Sequence, residues 1–431
     1  MFFERPEAGT DTLLVHVERD NKDPGTIAEL RELALSAGLH PVGSVTARRR
    51  HPDPKTFVGS GKLEEIEAAL QVDEARLVLF DQELTATQER NLENALCRRV
   101  LGRTGLILHI FAQRARTHEG KLQVELAQLE HASTRLIRGW THLDRQRGGS
   151  GRGTGAAMGL GGAGETQLEA DQRMIGDRIR QINQRLMKVR RQRSQNRRAR
   201  HRADIKTVSL AGYTNAGKST LFNCLCNAHV REANQLFATL DPTLRKLEIP
   251  VMGNVVLTDT VGFIRDLPHS LIDAFRATLE EVRLADLVLH VVDASAPDHG
   301  EQSAEVNRVL KEIEADKIPQ LVVYNKIDLL GESPRVDRDE SGKPVRVWVS
   351  SLQGTGMTLL TDAISERLAS EVIETTLSLG PHQGQLRARL FALGAVVDEH
   401  TSDDGTINIH VRIEEHRLQH LASHADVALS L

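Results

Sequence analysis

Several short stretches of the 431-residue sequence carry residue types at spacings suited to one chemistry, the handling of a nucleoside triphosphate. "TVSLAGYTNAGKST" (207 to 220) reads as a strand, then Gly212-x4-Gly217-Lys218-Ser219, then a helix. At that spacing successive backbone N–H groups curl around phosphates and the helix presents its positive dipole end. Lys218 is expected to bridge β- and γ-phosphate oxygens, and Ser219 to ligate Mg2+. "VVLTDTVG" (255 to 262) gives a strand ending at Asp259, an acid suited to hold Mg2+ through water, with Gly262 free to turn its N–H to a γ-phosphate. Between them, "NQLFATLDPT" (234 to 243) lies where a switch loop is needed, and its Thr239 offers the metal a further hydroxyl, Thr243 a weaker one.

Two further loops choose the base. "QLVVYNKIDLL" (320 to 330) puts Asn325, Lys326 and Asp328 at the mouth of an apolar strand, and "VRVWVSSLQGTG" (345 to 356) ends one at Ser350 and Ser351. A carboxylate at Asp328 accepts from guanine N1–H and the 2-amino group together. Adenine offers neither, so GTP is the expected ligand. Lys326 is expected along the base plane, with Asn325 tying its loop to the phosphate loop. All these loops fall at strand C-terminal ends, where open α/β sheets bind ligands.

The position after Asp259-x-x-Gly262 is Phe263, where many GTPases keep a water-orienting Gln. A phenyl ring neither accepts from water nor aligns it. A low intrinsic rate is expected, with a partner that orders residues 234 to 243 and 260 to 270 and turns Phe263 out of the water's path. Arg265 offers a charge to the reaction, but an exposed structural residue is the preferred reading.

The elements that must position these groups follow from length and pattern. A chain of this length suggests two to four domains. With 40% hydrophobic and 26% charged residues it reads as soluble and globular, and no apolar run approaches the roughly 20 residues that cross a bilayer. "MFFERPEAGT" lacks the basic and apolar regions of a secretion signal, so the cytoplasm is expected, with peripheral membrane association left open. Cys97, Cys224 and Cys226 support neither a disulfide framework nor a zinc site. The net charge of −4 conceals "RRQRSQNRRARHR" (190 to 202), a basic stretch suited to RNA phosphates.

Residues 1 to 117 read as an α/β domain of alternating runs, among them "TLLVHV", "TIAELRELALSAG", "RLVLFD", "TATQERNLENALC" and "GLILHIFA". Its "FVGSGKLEE" mimics a phosphate loop, but Thr56 stands where the earlier Gly is required, so it reads as an ordinary Gly turn. From 118 to 203 a heptad rhythm predicts an antiparallel helical hairpin, with Leu122, Leu126, Leu129, Leu136, Trp140 and Leu143 facing Leu168, Ile175, Ile179, Ile182, Leu186 and Val189. Its tip, 145 to 165, is a Gly-dominated loop read as a probe that orders on contact. A mostly parallel GTPase domain is expected over 204 to 372, and a small α+β domain over 373 to 431.

Together "FVGSGK", "TGLILHIFAQRARTHEGKLQVELAQL", "GETQLEADQR", "GYTNAGKST", "LFATLDPT" and "DTVGFIRDLPH" make the chain resemble the HflX family of ribosome-associated GTPases over most of its length. The resemblance implies binding to the large ribosomal subunit and splitting or rescue of stalled ribosomes under heat or other stress. The 145 to 165 tip would reach rRNA near the peptidyl transferase centre, and the ribosome would stimulate hydrolysis. It further implies that Gly212, Tyr213, Thr214, Asn215, Ala216, Gly217, Lys218, Ser219 and Thr220 bind GTP. So would Phe237, Ala238, Thr239, Leu240 and Asp241, then Asp259, Thr260, Val261 and Gly262, then Asn325, Lys326, Ile327 and Asp328, and finally Ser350, Ser351 and Leu352. Ser219, Thr239 and Asp259 would hold Mg2+, and Lys218, Thr239 and Gly262 would act in catalysis. The free protein is expected to be a monomer. A competing reading is a nucleotide-gated scaffold or signalling GTPase without a ribosomal partner; a third, an ATP-driven RNA remodeller, would need tolerance of adenine.

Overall fold

Apolar runs near the N-terminus become parallel strands wherever amphipathic runs can return the chain across the sheet. In the computed structural model the described residues are 7–18, 26–147, 167–202, 205–226, 236–237, 239–249, 253–265, 276–369, 372–379, 384–392, 394–401 and 407–414. Strands β1 (Asp11–Glu18), β2 (His40–Arg48), β3 (Leu77–Phe80) and β4 (Arg99–Leu101) alternate with helices α1 (Thr26–Ser36), α2 (Ser60–Val72), α3 (Ala86–Leu96) and α4 (Arg103–Arg114). The sheet order is β2-β1-β3-β4, parallel throughout. Its β1 is buried along most of its length, as in a sheet covered on both faces. Thr85 opens α3 with a capping box closed by Gln88.

"GLILHIFA", a strand-like run in the alternation, is instead part of α4. The helix is buried from Arg103 to Phe111 because it packs on α1, on β3 and on the hairpin, and a helix enclosed on all sides shows no polar face in its sequence. The mimic at 57–65 is structural. Gly61 and Lys62 form the first turn of α2, and the Lys62 ammonium donates to Thr46 O (2.9 Å) and Glu65 Oε2 (2.6 Å).

Helices α5 (His118–Arg147) and α6 (Gln167–Arg202) are 30 and 36 residues long, about 45 and 54 Å at 1.5 Å per residue. Leu122, Leu126 and Leu129 meet Ile175, Ile182 and Leu186, with Ile179 partly buried beside them. Glu119 pairs with Arg193 and Glu125 with Arg178, an order that only an antiparallel pair allows. The basic stretch continues α6. The side chains of Leu136, Trp140, Leu143 and Leu168, and the Gly-rich residues from 148 to 166, lie outside the described part.

The central sheet has β5 (Thr207–Gly212), β6 (Thr243–Ile249), β7 (Gly253–Asp259), β8 (Leu287–Asp293), β9 (Gln320–Asn325), β10 (Arg335–Arg338) and β11 (Pro344–Trp348). Its order, β10-β11-β9-β8-β5-β7-β6, places five parallel strands between two antiparallel edges. Helices α7 (Lys218–Cys226), α8 (Arg276–Arg283), α9 (His299–Glu312) and α10 (Met357–Leu368) return the chain between strands. A last antiparallel sheet, β12 (Val372–Leu379), β14 (Ile407–Glu414) and β13 (Val396–Thr401), is covered by Leu386 and Leu390 of α11 (Gly384–Ala392). The chain is thus a multidomain α/β protein with a mostly parallel central sheet. Among the described residues no helix is long and apolar enough to cross a membrane.

One hydrophobic core joins the N-terminal and central sheets. It runs from Leu14 and Leu79 through Leu33 of α1 and Phe111 of α4 to Phe237, Leu240, Phe263 and Val288. Residues read from sequence as switch segments are therefore structural members of a core shared with the N-terminal layer.

Candidate nucleotide site

Because β5, β7, β8, β9 and β11 are parallel, Gly212, Asp259, Asp293, Asn325 and the Ser350 turn all emerge at one edge of the sheet. The turn 213–217 carries the chain from β5 into α7. At Gly217 φ is +91°, and a Cβ would stand 2.2 Å from Asn325 Nδ2, so only glycine admits the approach of the two loops. Asn325 is buried and bridges them: its Nδ2 donates to Ala216 O (2.9 Å), and its Oδ1 accepts from Ser351 N (3.0 Å).

Asp328 Oδ1 accepts from Ser350 Oγ at 2.5 Å, which orients the carboxylate. Lys326 takes the left-handed conformation at φ +66° and places its ammonium 2.6 Å from Asp293 Oδ2. Asp293 was not singled out in the sequence, although its place at the end of "LVLHVVD" obeys the strand-end rule that found Asp259. Ile327 is buried, while Leu352 is exposed.

Three oxygens converge at the other end of the cleft. Ser219 Oγ and Thr239 Oγ1 each donate to Asp259 Oδ2 at 2.8 Å and lie 2.8 Å from each other. Asp259 is fully buried, and its Oδ1 has no hydrogen-bond partner. Burial raises its pKa, against the pull of the two hydroxyls and Lys218. A buried carboxylate oxygen without a donor, beside two hydroxyls, is a hard-oxygen set that fits Mg2+. Thr243, the weaker hydroxyl candidate, begins β6 opposite Asp259.

The Lys218 ammonium donates to Gly212 O (3.1 Å) and Tyr213 O (2.7 Å), and burial pulls its pKa down to about 8. Gly262 lies directly against Lys218 and Thr214. Thr260 Oγ1 donates to Leu210 O at 2.5 Å, and Val261 is buried in the shared core. A cavity of ≈ 620 Å³ opens beside Thr214 and Asn215, walled by Glu29 and Glu32 of α1 on one side and by Arg265 and Asp298 on the other.

Three expectations are corrected. Phe263 does not stand in the path of a water: it is 0% exposed, with its N–H on Gly212 O (3.1 Å) and its carbonyl accepting Thr214 N (2.7 Å). This short parallel bridge with Tyr213 aims the ring into the shared core. Phe237 and Leu240 also point into that core, Phe237 edge-on to Phe111 at 4.7 Å between centroids. The Asp241 carboxylate accepts from Arg116 N, Thr117 N and Thr117 Oγ1, which places it on the hairpin. Arg265, read as an exposed residue, ion-pairs with Glu301 at 2.9 Å, its side chain 23% exposed. Ala238 and residues 266–275 lie outside the described part.

With the geometry established, comparison with known proteins accounts for nearly the whole chain. Family models match as "GTP-binding GTPase N-terminal" over 25–112, "GTP-binding GTPase Middle Region" over 114–200, "50S ribosome-binding GTPase" over 207–326 and "HflX C-terminal domain" over 337–425. GTPase HflX of Escherichia coli is 52% identical over 95% of both chains. GTPase HflX of Magnetococcus marinus is 43% identical over 88% of this chain and 86% of that one. A solved GTP-binding protein from Sulfolobus solfataricus in complex with GDP is 22% identical, covers 83% of this chain and 99% of its own, and superposes with a TM-score of 0.43.

Proposed function

The chain belongs to the HflX family of GTPases, and on that premise we propose that it hydrolyses GTP on the large ribosomal subunit, splitting or rescuing stalled ribosomes under stress such as heat. The convergence of Ser219, Thr239 and the unpartnered oxygen of Asp259 carries the nucleotide half of this reading. The family model described as a 50S ribosome-binding GTPase, over 207–326, supports the ribosomal half.

In this proposal residues 212–219 bind the phosphates, Asp328 selects guanine, and Asn325 holds the two loops at fixed separation. Ser219, Thr239 and Asp259 would hold Mg2+, which supplies charge neutralisation at the phosphates. Lys218 contributes a cation that leaves its two carbonyls for phosphate oxygens, a stronger acceptor. Gly262, packed against Lys218, keeps its N–H beside the same phosphates. No side chain at 263 aims a water, so the intrinsic rate is low and the ribosome supplies the missing order.

On this reading the chain divides into a domain over 1–117, a hairpin over 118–203, a GTPase domain over 204–372 and a small domain over 373–431. The hairpin tip and the basic end of α6 are its RNA-facing parts. Each neutralised phosphate adds about 0.9 to the log-log salt slope on duplex DNA, and a comparable slope is expected on structured RNA. The test is GTP turnover measured alone and with purified large subunits, together with co-sedimentation in GTP or GDP and light scattering of intact ribosomes. Stimulated turnover and GTP-dependent pelleting support the reading. Turnover as slow with subunits as in buffer, with equal or absent pelleting in both nucleotides, assigns the protein to a scaffold role instead.

A further inference from the structure

The segment 236–241 is fastened at both ends to different parts of the molecule. On one side Thr239 donates to Asp259 beside Ser219. On the other, Leu236 N donates to Ser36 Oγ of α1 (2.9 Å), and Asp241 reaches the first turn of α5. There Thr117 caps the helix, its Oγ1 accepting Gly120 N at 2.9 Å while its hydroxyl donates to Asp241 Oδ1 at 2.5 Å. Asp241 Oδ2 accepts from Arg116 N and Thr117 N, each at 2.9 Å. A carboxylate at this end also faces the positive pole of a 30-residue helix.

Gly120 shows that the fit is close. A helix interior gains nothing from glycine, yet a Cβ here would lie 2.0 Å from Asp241 Oδ1 and 3.2 Å from Thr117 Oγ1. The carboxylate occupies the volume that any other residue's side chain would take.

We infer that Asp241 is the joint through which the nucleotide site sets the position of the helical hairpin, an inference that rests on reading 212–219 as that site. Two residues of chain span at most about 7 Å, so Thr239 stays within that distance of Asp241 for as long as Asp241 is held on the helix. When Thr239 is seated, α5 begins at a fixed point with its first N–H groups satisfied. When Thr239 withdraws, Arg116 and Thr117 lose their shared acceptor and the hairpin pivots at its root. Because the far end of α5 lies some 45 Å along the helix from its root, a small change of angle at the root becomes a large displacement there. Coupling of this kind is reciprocal: fixing the hairpin favours the nucleotide that seats Thr239.

The experiment is amide hydrogen exchange of the full chain over residues 115 to 125, with Mg2+ and either GDP or a non-hydrolysable GTP analogue. The wild type is expected to exchange at least fivefold more slowly at Arg116, Thr117 and Gly120 with the analogue than with GDP. Asp241→Asn and Gly120→Ala, which evicts the carboxylate without altering it, are both expected to exchange equally fast in the two states. Equal protection of the wild type in two nucleotides that both bind overturns the joint, as does full retention of the difference in a folded Asp241→Asn. The wild-type comparison decides the matter even if neither variant folds. Failure of either nucleotide to bind overturns instead the reading of the site itself.

Discussion

Tyr213 donates its phenolic hydrogen to Glu29 Oε2 at 2.7 Å, a bond between residues 184 apart in the chain. The Tyr213 hydroxyl oxygen itself accepts from Arg265 N (2.9 Å), and Arg103, which ion-pairs with Glu29 and Asp81, donates to Arg265 O (2.9 Å). The first variable residue of the phosphate loop is thus held by the N-terminal layer, and so is the carbonyl of the residue two beyond Phe263, whose N–H rests on Tyr213 itself. Burial drives the Glu29 carboxyl pKa up, with Arg103 and Tyr213 opposing it.

Tyr213→Phe removes one donor and leaves the Arg265 N–H and a Glu29 oxygen short of a partner. A loss of about 1–3 kcal/mol is expected, the cost of stranding partly buried polar groups. Urea unfolding of the full chain checks it, and an unchanged midpoint contradicts the placement.

Phe263→Gln would restore the residue type that aims water in other GTPases, yet it is not expected to raise turnover. The backbone at 263 is fixed by two hydrogen bonds to the phosphate loop, and its side chain leaves the cleft for the core. A Gln there would bury an amide among apolar neighbours and forfeit the packing of a ring, at a cost of about 3–5 kcal/mol. Thermal unfolding should fall accordingly, and single-turnover hydrolysis should stay within a few-fold of wild type. A folded variant with tenfold faster hydrolysis would show that the side chain can face the nucleotide.

Lys218 sets a pH dependence. Its ammonium is held down to about 8 by burial, and phosphate oxygens would raise it again. Binding needs the charged form, which the free protein already has below about 8, so affinity for GDP should be flat there. Above that pH binding must take up a proton, and affinity should fall by about tenfold per pH unit until the bound-state pKa is passed. Calorimetry in buffers of different ionisation enthalpy would detect the proton directly. Lys218→Arg should bind without proton uptake, and uptake that persists in it would move the titration to another group.

What the sequence made legible is what spacing alone dictates. The strand, turn and helix around 207–220, the strand ending at Asp259 and the Asn325 to Asp328 turn are local patterns, and each lies at the expected edge of the sheet. The lower hairpin seam is equally local, since Leu122, Leu126 and Leu129 repeat at helical intervals. The fate of Phe237, Asp241 and Phe263 was not legible. Their partners are Phe111, Thr117 and the backbone of Gly212, brought in by tertiary packing across separations that leave no periodic trace. Helix α4 was obscured for the same reason, because enclosure by three neighbours erases the polar face by which a helix is recognised.

The base should be decided at Asp328. Ser350 fixes one carboxylate oxygen at 2.5 Å, and Asn325 joins the phosphate loop to the Ser351 backbone, so the acceptor is held at a set distance from the phosphates. Asp328→Asn exchanges one acceptor oxygen for an NH2 donor, which repels guanine N1–H and its 2-amino group and welcomes the 2-oxo group of xanthine. Sites that present paired hydrogen-bonding groups reject ligands lacking the complement by about 10⁴-fold. GTP affinity should therefore fall by a factor of that order while xanthosine triphosphate binds in its place, and the Phe263 bridge and the Ser219–Asp259 contact, both remote from the base, should be untouched. Competition titrations with GTP, ATP and xanthosine triphosphate measure the exchange. Undiminished GTP affinity in the variant would place guanine recognition elsewhere.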